Sequence, residues 1–583
     1  MAFLLGVCLM AVLLRGVPTT ESDNIYGFDP YVHHYYSWYT TEYGTFAAVD
    51  HFRDDVVDDR GNWPGLHLLA GGTVLLTGAD MNDLYRYLPL VLGALVVMVL
   101  FLLVRRLYGL EVALFAALIF AVADYAVQMS TWLIPATVGL LIYTTFLAVI
   151  VNMRVERRSV TLLVALLFAA SLVTHHFTHL IFISTVLIAA VFAERRAERS
   201  RLMLLMVPML LLTGAYWYWF GRQTGSFPDI AEHMAAIIWT PVGLIVIAAL
   251  IALTVLAYLR YDGLSRGWYR MEERARTSAA RIDGSPVLLA VTTAGVLLVT
   301  VVAIGLHSRA AEEVDGGWTA QVTKYALATL GWVGIVTAVS QGLPRVRLFI
   351  GIMSMLVVGY LLVLYVFTFL PLELRFFEFV YIPMAVMSGV GVVRLAHGLP
   401  GAAPAKAGTP RARAVPVAVT MAVVGILVIA MAADDHRRMT SDLSDRYYHS
   451  DAEIAAAEWV EANTEPNAVI STPFGLQPVI FGFGRRATDT DVIAHSVIEK
   501  NISAFAWDLI VVNKGRPHYI VLTTDTSKYG KDEYLELDLE EDIYEVGGGM
   551  LRTPRMFEFQ YNNTEIVILK VTSNLTGGPW NSV

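Results

Sequence analysis

LPLVLGALVVMVLFLLVRRLYG, residues 88–109, runs seventeen residues without a charge and then meets two arginines. As a helix rising 1.5 Å per residue, the uncharged part is about 25 Å long, close to the roughly 30 Å hydrocarbon layer of a bilayer. Lipid offers no hydrogen bonds, so a segment crossing it has to satisfy its own backbone groups, which a helix does. Comparable runs recur along the chain at 2–17, 110–127, 133–152, 160–174, 177–193, 202–220, 236–258, 285–306, 323–339, 346–366, 376–394 and 414–433. With 88–104 they make about thirteen expected membrane helices. The runs at 160–174 and 177–193 also read as one hairpin with a tight turn at 174–178.

Composition agrees. Of 583 residues, 56% are hydrophobic and 16% charged, too little polar material to cover a soluble chain of this length. The single cysteine, Cys8, lies in an apolar run, which rules out a disulfide within the chain and a cysteine-based metal site. The net charge of −9 is uneven. Residues 434–583 carry about 24 acidic and 13 basic groups, and the rest of the chain is slightly positive. An acidic domain of this kind argues against nucleic acid or an anionic membrane surface as its partner.

Arginine and lysine set the orientation. Alternate connections are basic: Arg105-Arg106, Arg154 with Arg157-Arg158, Arg195–Arg201, Arg260–Arg281, Arg345 with Arg347, and Arg394–Arg413. The intervening loops are acidic, aromatic or histidine-bearing. The basic side is cytoplasmic, which places the N-terminus inside and residues 434–583 outside. The first run has no basic leader and carries Arg15 near its outer end, a poor match to a signal peptide; a start codon placed too late would explain its shortness. The expected organisation is a membrane part, 1–433, including a long outer loop 18–87, and a small extracytoplasmic α/β domain, 434–583. In that domain 451–462 reads as a helix and 468–471, 479–483, 519–523 and 565–571 as strands. Residues 397–414 form a Pro/Gly/Ala linker, and no internal repeat is present.

The outer loop carries the first candidate chemistry. In Gly27-Phe28-Asp29-Pro30-Tyr31-Val32-His33-His34 a carboxylate precedes a proline suited to a first helical turn. Asp29 is either an N-cap or a carboxylate held at the membrane boundary, with His33 one turn on, able to bind a divalent cation or take a proton from a hydroxyl. Tyr31, Tyr35, Trp38 and Tyr39 fall at helical spacing, and Trp63-Pro64-Gly65-Leu66-His67 opens an apolar helix read as interfacial.

This arrangement resembles the first-loop acidic motif of the catalytic subunit of oligosaccharyltransferase and, more broadly, the GT-C glycosyltransferases. The Trp-Pro-Gly helix and the span ending Arg-Arg-Leu-Tyr-Gly are similar too, as is the plan of about thirteen spans and an outer C-terminal domain. The motif-level likeness covers residues 26–110. Two features depart from that family. The Trp-Trp-Asp-Tyr-Gly signature that reads an acceptor sequon is absent from 434–583, and the second-loop acidic pair is reduced to Asp124. The resemblance therefore implies a GT-C enzyme moving a sugar from a polyprenyl donor, dolichyl phosphate above all, to a glycan, lipid or protein acceptor, rather than an oligosaccharide to asparagine.

Further candidates follow from position. His175 and His179, four apart, would suit two ligands on one helical face, or else are interfacial histidines with solvent or backbone partners. Arg375 begins a span from outside. It could pair with Glu378 one turn on, snorkel to headgroups, or hold the donor phosphate as the leaving group gains charge; Arg309 and Lys324 are lesser choices. In the oligosaccharyltransferase family an outer loop supplies a glutamate. Here Glu312, Glu313 and Asp315 occupy that loop, which otherwise reads as solvated, and Glu373 lies beside Arg375. The acidic run Asp54-Asp55, Asp58-Asp59 reads as solvated. Sequons begin at Asn501, Asn562 and Asn574.

The reading is an inverting membrane glycosyltransferase with Asp29 as catalytic base and Arg375 on the donor phosphate, assisted by His33, His34, Asp124, His175, His179, Glu313 or Glu373, with Mg or Mn as a candidate cofactor. Asp29 and Arg375 should then converge on one outer cavity. A transporter or lipid-linked sugar flippase is the first alternative, but it would place charges at mid-membrane and pair broken spans in two halves. A non-catalytic anchor displaying a binding domain is the other, and has no use for so aromatic and histidine-rich a first loop.

Overall fold

The computed structural model describes residues 2–44, 63–152, 157–193, 196–223, 261–310, 318–343, 345–365, 375–397, 410–440, 447–489, 518–523 and 557–571. The described residues form two compact units. One comprises Met1–Gly16, Pro89–Thr131 and Pro135–Arg437, the other Val17–Leu88, Trp132–Ile134 and Arg438–Val583.

The helices, in chain order, are α1 (Ala2–Arg15), α2 (Val17–Glu21), α3 (Asp29–Tyr43), α4 (Pro64–Thr77), α5 (Met81–Tyr108), α6 (Leu110–Ala121), α7 (Asp124–Thr131), α8 (Pro135–Asn152), α9 (Arg158–Thr174), α10 (His176–Val191), α11 (Arg196–Gln223), α12 (Tyr261–Gly284), α13 (Pro286–Ala310), α14 (Trp318–Ser340), α15 (Val346–Tyr365), α16 (Arg375–Ala396), α17 (Pro410–Thr440), α18 (Asp451–Asn463) and α19 (Gln477–Gly482). Among the described residues, five helices are long and apolar enough to cross a membrane, six if the pair Glu273–Gly284 and Pro286–Leu298, bent by 107°, is one span; shorter apolar helices lie at several of the other runs. The run at 236–258 lies outside the described residues.

In the first unit, the expected continuous helix over 110–127 is broken. α6 stops at Ala121 and α7 starts at Asp124, with Val122 at φ −115°, ψ 15°. The break is filled by Arg15. Its guanidinium donates to the Ala121 carbonyl at 3.3 Å, to Ala11 O at 3.1 Å and to Ser130 Oγ at 2.7 Å. A helix end leaves carbonyls without intrahelical partners, and a buried cation supplies the missing donor. The side chain is 1% exposed and passes over Gly93 of α5, where any Cβ would collide with it. Asp435, also buried, lies within its electrostatic reach.

α16 sits between α6 and α14 and has glycine on both faces. A Cβ on Gly389 would come within 2.8 Å of the Val112 carbonyl of α6, and one on Gly391 would collide with the Leu330 carbonyl of α14. Gly334 of α14 is equally closed, against the Met387 carbonyl. Small residues at such crossings let backbones approach where lipid gives no hydrophobic drive. Further along, Asp283 at the end of α12 takes a hydrogen bond from Arg394 Nε at 2.9 Å and one from Ser340 Oγ at 2.9 Å, so the α12–α13 bend is tied to α14 and α16.

The second unit holds α2–α4 and a five-stranded sheet of β1 (Val469–Ser471), β2 (Ala487–Asp489), β3 (Tyr519–Thr523), β4 (Phe557–Asn562) and β5 (Ile566–Val571), in the order β2-β1-β3-β5-β4. The β2-β1-β3 part is parallel, with Ile470 beside Thr488 and Tyr519, and the β3-β5-β4 part antiparallel, with Ile520 beside Leu569. α18 starts with a complete capping box: Ser450 Oγ accepts from Glu453 N at 3.1 Å, and the Glu453 carboxylate accepts from Ser450 N at 3.2 Å. The strand expected over 479–483 is instead α19. Its five residues Pro478 to Gly482 are all buried, and a short apolar run buried all round has no periodicity to distinguish strand from helix. Proline in its first turn and the close seat of Gly482 on α3, 2.6 Å from Tyr31 O to a built Cβ, decide for helix.

Candidate functional site

Asp29 is the first residue of α3 and half-buried. It is not an N-cap. Phe28 holds that position in a helical conformation with no side-chain cap, and Pro30 follows in the first turn. The residue thus lies at the positive end of the helix dipole.

The loop leading to it is clamped. Gly27 N donates to Tyr447 O at 3.0 Å, and Tyr31 Oη donates to Ile25 O at 2.8 Å. Gly27 has φ +101°, and a Cβ there would lie 2.8 Å from the Trp132 indole, so glycine is required both for conformation and for space. Tyr26 packs against Tyr448 at 4.9 Å and Tyr447 at 6.0 Å between ring centroids, and Trp132 stands 5.4 Å from Tyr447. On the next turn, Tyr31 meets the edge of His449 at 4.8 Å, whose Nδ1 bonds Glu453 at 2.8 Å.

The two α3 histidines have different surroundings. His33 Nδ1 lies 3.0 Å from His67 Nε2 of α4 in a buried hydrogen bond. His34 stacks on Phe483 at 4.9 Å and meets Tyr85 edge-on at 5.4 Å. Tyr36 packs on His67 at 5.3 Å, and Ser37 bonds Tyr85 Oη at 2.7 Å. Further along α3, the Arg485 guanidinium covers the Trp38 ring at 3.4 Å and pairs with Glu461.

Burial lowers His34 to about 4, with the Arg485 charge adding to it, and lowers His67 to about 3. Both are depressed from an ordinary 6.5. Below that pH the unfolded chain takes up protons that the folded one refuses, so stability is full above pH 6.5 and falls as the pH drops. The slope is about 1.4 kcal/mol per pH unit for each histidine, continuing down to about pH 4 for His34 and about pH 3 for His67. The thermal midpoint should therefore fall measurably between pH 7 and 5, and His34→Gln should flatten that dependence. A midpoint independent of pH over this range would contradict the assigned burial.

In the first unit, His175 is not helical. It caps α10 from an extended conformation, φ −158°, ψ 120°, and its Nδ1 bonds Thr178 Oγ1 at 2.8 Å. His179 has both ring nitrogens engaged, Nδ1 with Ser171 Oγ at 2.9 Å and Nε2 with Thr213 Oγ1 at 2.8 Å. His175 and His179 therefore do not share one helical face, because the helix begins only after His175. The tight turn expected at 174–178 narrows to that one residue.

Arg375 opens α16, and the structure brings that helix end beside the start of α10: Phe177 packs on Phe376 at 4.8 Å and on Phe379 at 5.9 Å. Glu378, one turn on, is 2% exposed. Asp124 is the first residue of α7. The side chains of Arg375, Asp124, Arg309 and Lys324, and the whole of Glu312, Glu313, Asp315, Glu373 and the acidic run 54–59, lie outside the described residues, as do the sequons at Asn501 and Asn574. Among the described residues no group of three or more His, Cys, Asp or Glu is placed to hold a metal ion. Sequence reasoning missed His67, Trp132 and Tyr447 as parts of the Asp29 surroundings; of these only His67, following Trp63-Pro64-Gly65 on an interfacial helix, carried a usable signal.

No protein-family model matches the sequence, and no curated protein matches it. Solved structures do. The archaeal oligosaccharyltransferase AglB from Archaeoglobus fulgidus, in complex with an inhibitory peptide and a dolichol-phosphate, superposes with a TM-score of 0.57 at 13% identity, over 100% of this chain and 75% of that one. The chain shares the fold of that oligosaccharyltransferase. The Archaeoglobus fulgidus oligosaccharyltransferase with Zn and sulfate matches with a TM-score of 0.55 at 13% identity, over 98% and 73% of the two chains. The arabinofuranosyltransferase AftD from Mycobacteria matches with a TM-score of 0.51 at 13% identity, over 98% of this chain and 42% of that one. The likeness is one of fold: the described residues are mostly helical, with several membrane-type helices and a small sheet.

Proposed function

We propose that this protein is a membrane glycosyltransferase that takes a sugar from a polyprenyl-phosphate donor, dolichyl phosphate above all, and passes it to an acceptor on the extracytoplasmic face. The observation that carries this reading is Asp29 at the head of α3, in a loop clamped by Gly27, Tyr31 and Trp132, within a chain of GT-C fold. The basic-loop alternation supports an N-terminus inside and residues 434–583 outside.

In the proposed reaction, the Asp29 carboxylate takes the proton from an acceptor hydroxyl. The acceptor oxygen bonds to the sugar C1 from the face opposite the donor phosphate. The bond from C1 to the phosphate oxygen breaks, its electron pair leaving with the polyprenyl phosphate, and the configuration at C1 inverts. Arg375 is the candidate to stabilise the departing phosphate through its planar guanidinium fork. A divalent cation such as Mg or Mn would add positive charge at the phosphate. At Asp29 it would need ligands from outside the described residues, Glu313 and Glu373 being candidates, and no step here depends on it. Without a Trp-Trp-Asp-Tyr-Gly segment, a hydroxyl acceptor suits the chain better than a sequon asparagine.

The direct test incubates membranes containing the protein with a panel of labelled dolichyl-phosphate monosaccharides. Transfer of label into a lipid, glycan or protein fraction, absent from control membranes, is the expected result. Facilitated movement of the intact lipid-linked sugar across the membrane, with no bond broken, would instead identify a flippase.

A further inference from the structure

Two neighbouring histidines follow Asp29, and the structure distinguishes them. At 100° per residue, His33 is 40° from Asp29 around the α3 axis and one turn along it, whereas His34 is displaced by 140°. His34 lies between the Phe483 and Tyr85 rings. His33 shares the stripe of α3 that Asp29 heads, and its Nδ1 is held by His67.

We propose that His67 is a positioning residue: its bond to His33 Nδ1 holds that ring in one tautomer on the Asp29 stripe and makes His33, not His34, the histidine that assists Asp29. This rests on the reading of Asp29 as the base. The two nitrogens of an imidazole point about 140° apart, so with Nδ1 turned to α4, His33 Nε2 points away from α4. One proton is shared across the His33–His67 contact. Whichever ring owns it, the state of Nε2 is the complement of the state of Nδ1, so His67 sets whether His33 offers a donor or an acceptor there. Burial keeps His67 neutral over the working range of pH, so one of its ring nitrogens remains an acceptor.

The supporting frame is rigid. α4 begins at Pro64, Tyr36 lies on the His67 ring at 5.3 Å, and Gly71 brings α4 against α3 so closely that a Cβ would come within 2.9 Å of Thr41 Oγ1. Asp29, His33, His34 and Tyr36 on α3, His67 on α4 and Tyr85 on α5 are titratable groups around this contact; the Arg485 and Asp80 charges act on His34 in opposite directions.

The test uses the full chain in lipid nanodiscs with labelled dolichyl-phosphate monosaccharide as probe. His67→Phe, which retains a ring packed against Tyr36, should lower kcat at least tenfold while the KM for the lipid donor stays within twofold; His67→Gln, which keeps a side-chain donor and acceptor, should recover most of the loss. A His67→Phe protein with kcat within twofold of the parent overturns the proposal, as does a Gln variant no better than Phe at equal thermal stability. Independently of turnover, nitrogen-15 spectra of histidine-labelled protein should show His33 in a single tautomer, retained in His67→Gln and lost in His67→Phe. An averaged tautomer in the parent protein also overturns it. Asp29→Asn separates the two levels: if that variant is inactive and His67→Phe is normal, only the role of His67 fails, whereas an active Asp29→Asn removes the reading beneath it.

Discussion

Asp29→Asn should reduce sugar transfer by about 10²–10⁴-fold, the range that a positioned general base contributes. The amide has the shape of the carboxylate and the same neighbours, but it cannot accept the acceptor's proton at working pH. Folding should hardly change. Asp29 is half-buried, and it is not the helix cap, since Phe28 stands there. What the variant loses in stability is a charge at the first turn, worth about 0.3–1 kcal/mol. A normal melting profile with transfer lost is therefore the expected pair of results. If the variant turns over at the parent rate, a carboxylate at this position is not the base, and the catalytic assignment has to move elsewhere in the fold.

The largest stability effect is expected at the crossing of α14 and α16. Gly391→Val and Gly334→Val each place carbon atoms where a backbone carbonyl already stands, Leu330 O in one case and Met387 O in the other. A flexible side chain could turn aside, but a helical carbonyl can yield only by moving its helix. Overpacking of this kind costs about 1–3 kcal/mol or more, and here the helices separate along a contact that also includes the Ser388 hydroxyl bond to Leu327 O at 3.2 Å. Gly425 in α17 is the control, because a Cβ there meets nothing within 4 Å; Gly425→Ala should be neutral or slightly stabilising. The measurement is thermal unfolding in detergent or nanodiscs. Equal midpoints for Gly391→Val and Gly425→Ala would contradict the packing described.

How much of this was legible in the sequence depended on whether the cause was local. A helix facing lipid has to be apolar along its own length, so runs such as 88–104, 133–152 and 346–366 mark helices directly, and α5, α8 and α15 lie there. The break after Ala121 was invisible, since Val122 and Ala123 are as apolar as their neighbours and the group occupying it, Arg15, is 106 residues earlier. The helix α19 was misread for the complementary reason: residues buried on every side show no period. Strand β2, Ala487–Asp489, has almost no apolar content and exists through its pairing with β1. Asp29 could be found because carboxylate, proline and aromatic residues are adjacent. His67 could not be paired with His33 from spacing, because the contact is made between two helices. The i, i+4 spacing of His175 and His179 suggested one helical face, whereas His175 caps α10 from an extended conformation, which spacing alone does not show.

Arg15 also bears on how the chain is made. Ser130 and Ala121, which neutralise the cost of burying its guanidinium, are synthesised more than 100 residues later. At ribosomal rates of about 5–20 residues per second, the first helix waits at least several seconds with a cation near its end and no permanent partner. During that interval it can rest only with the charged tip drawn toward headgroups, and it reaches its final depth when α6 and α7 arrive. Docking of this helix thus waits on segments synthesised more than 100 residues after it.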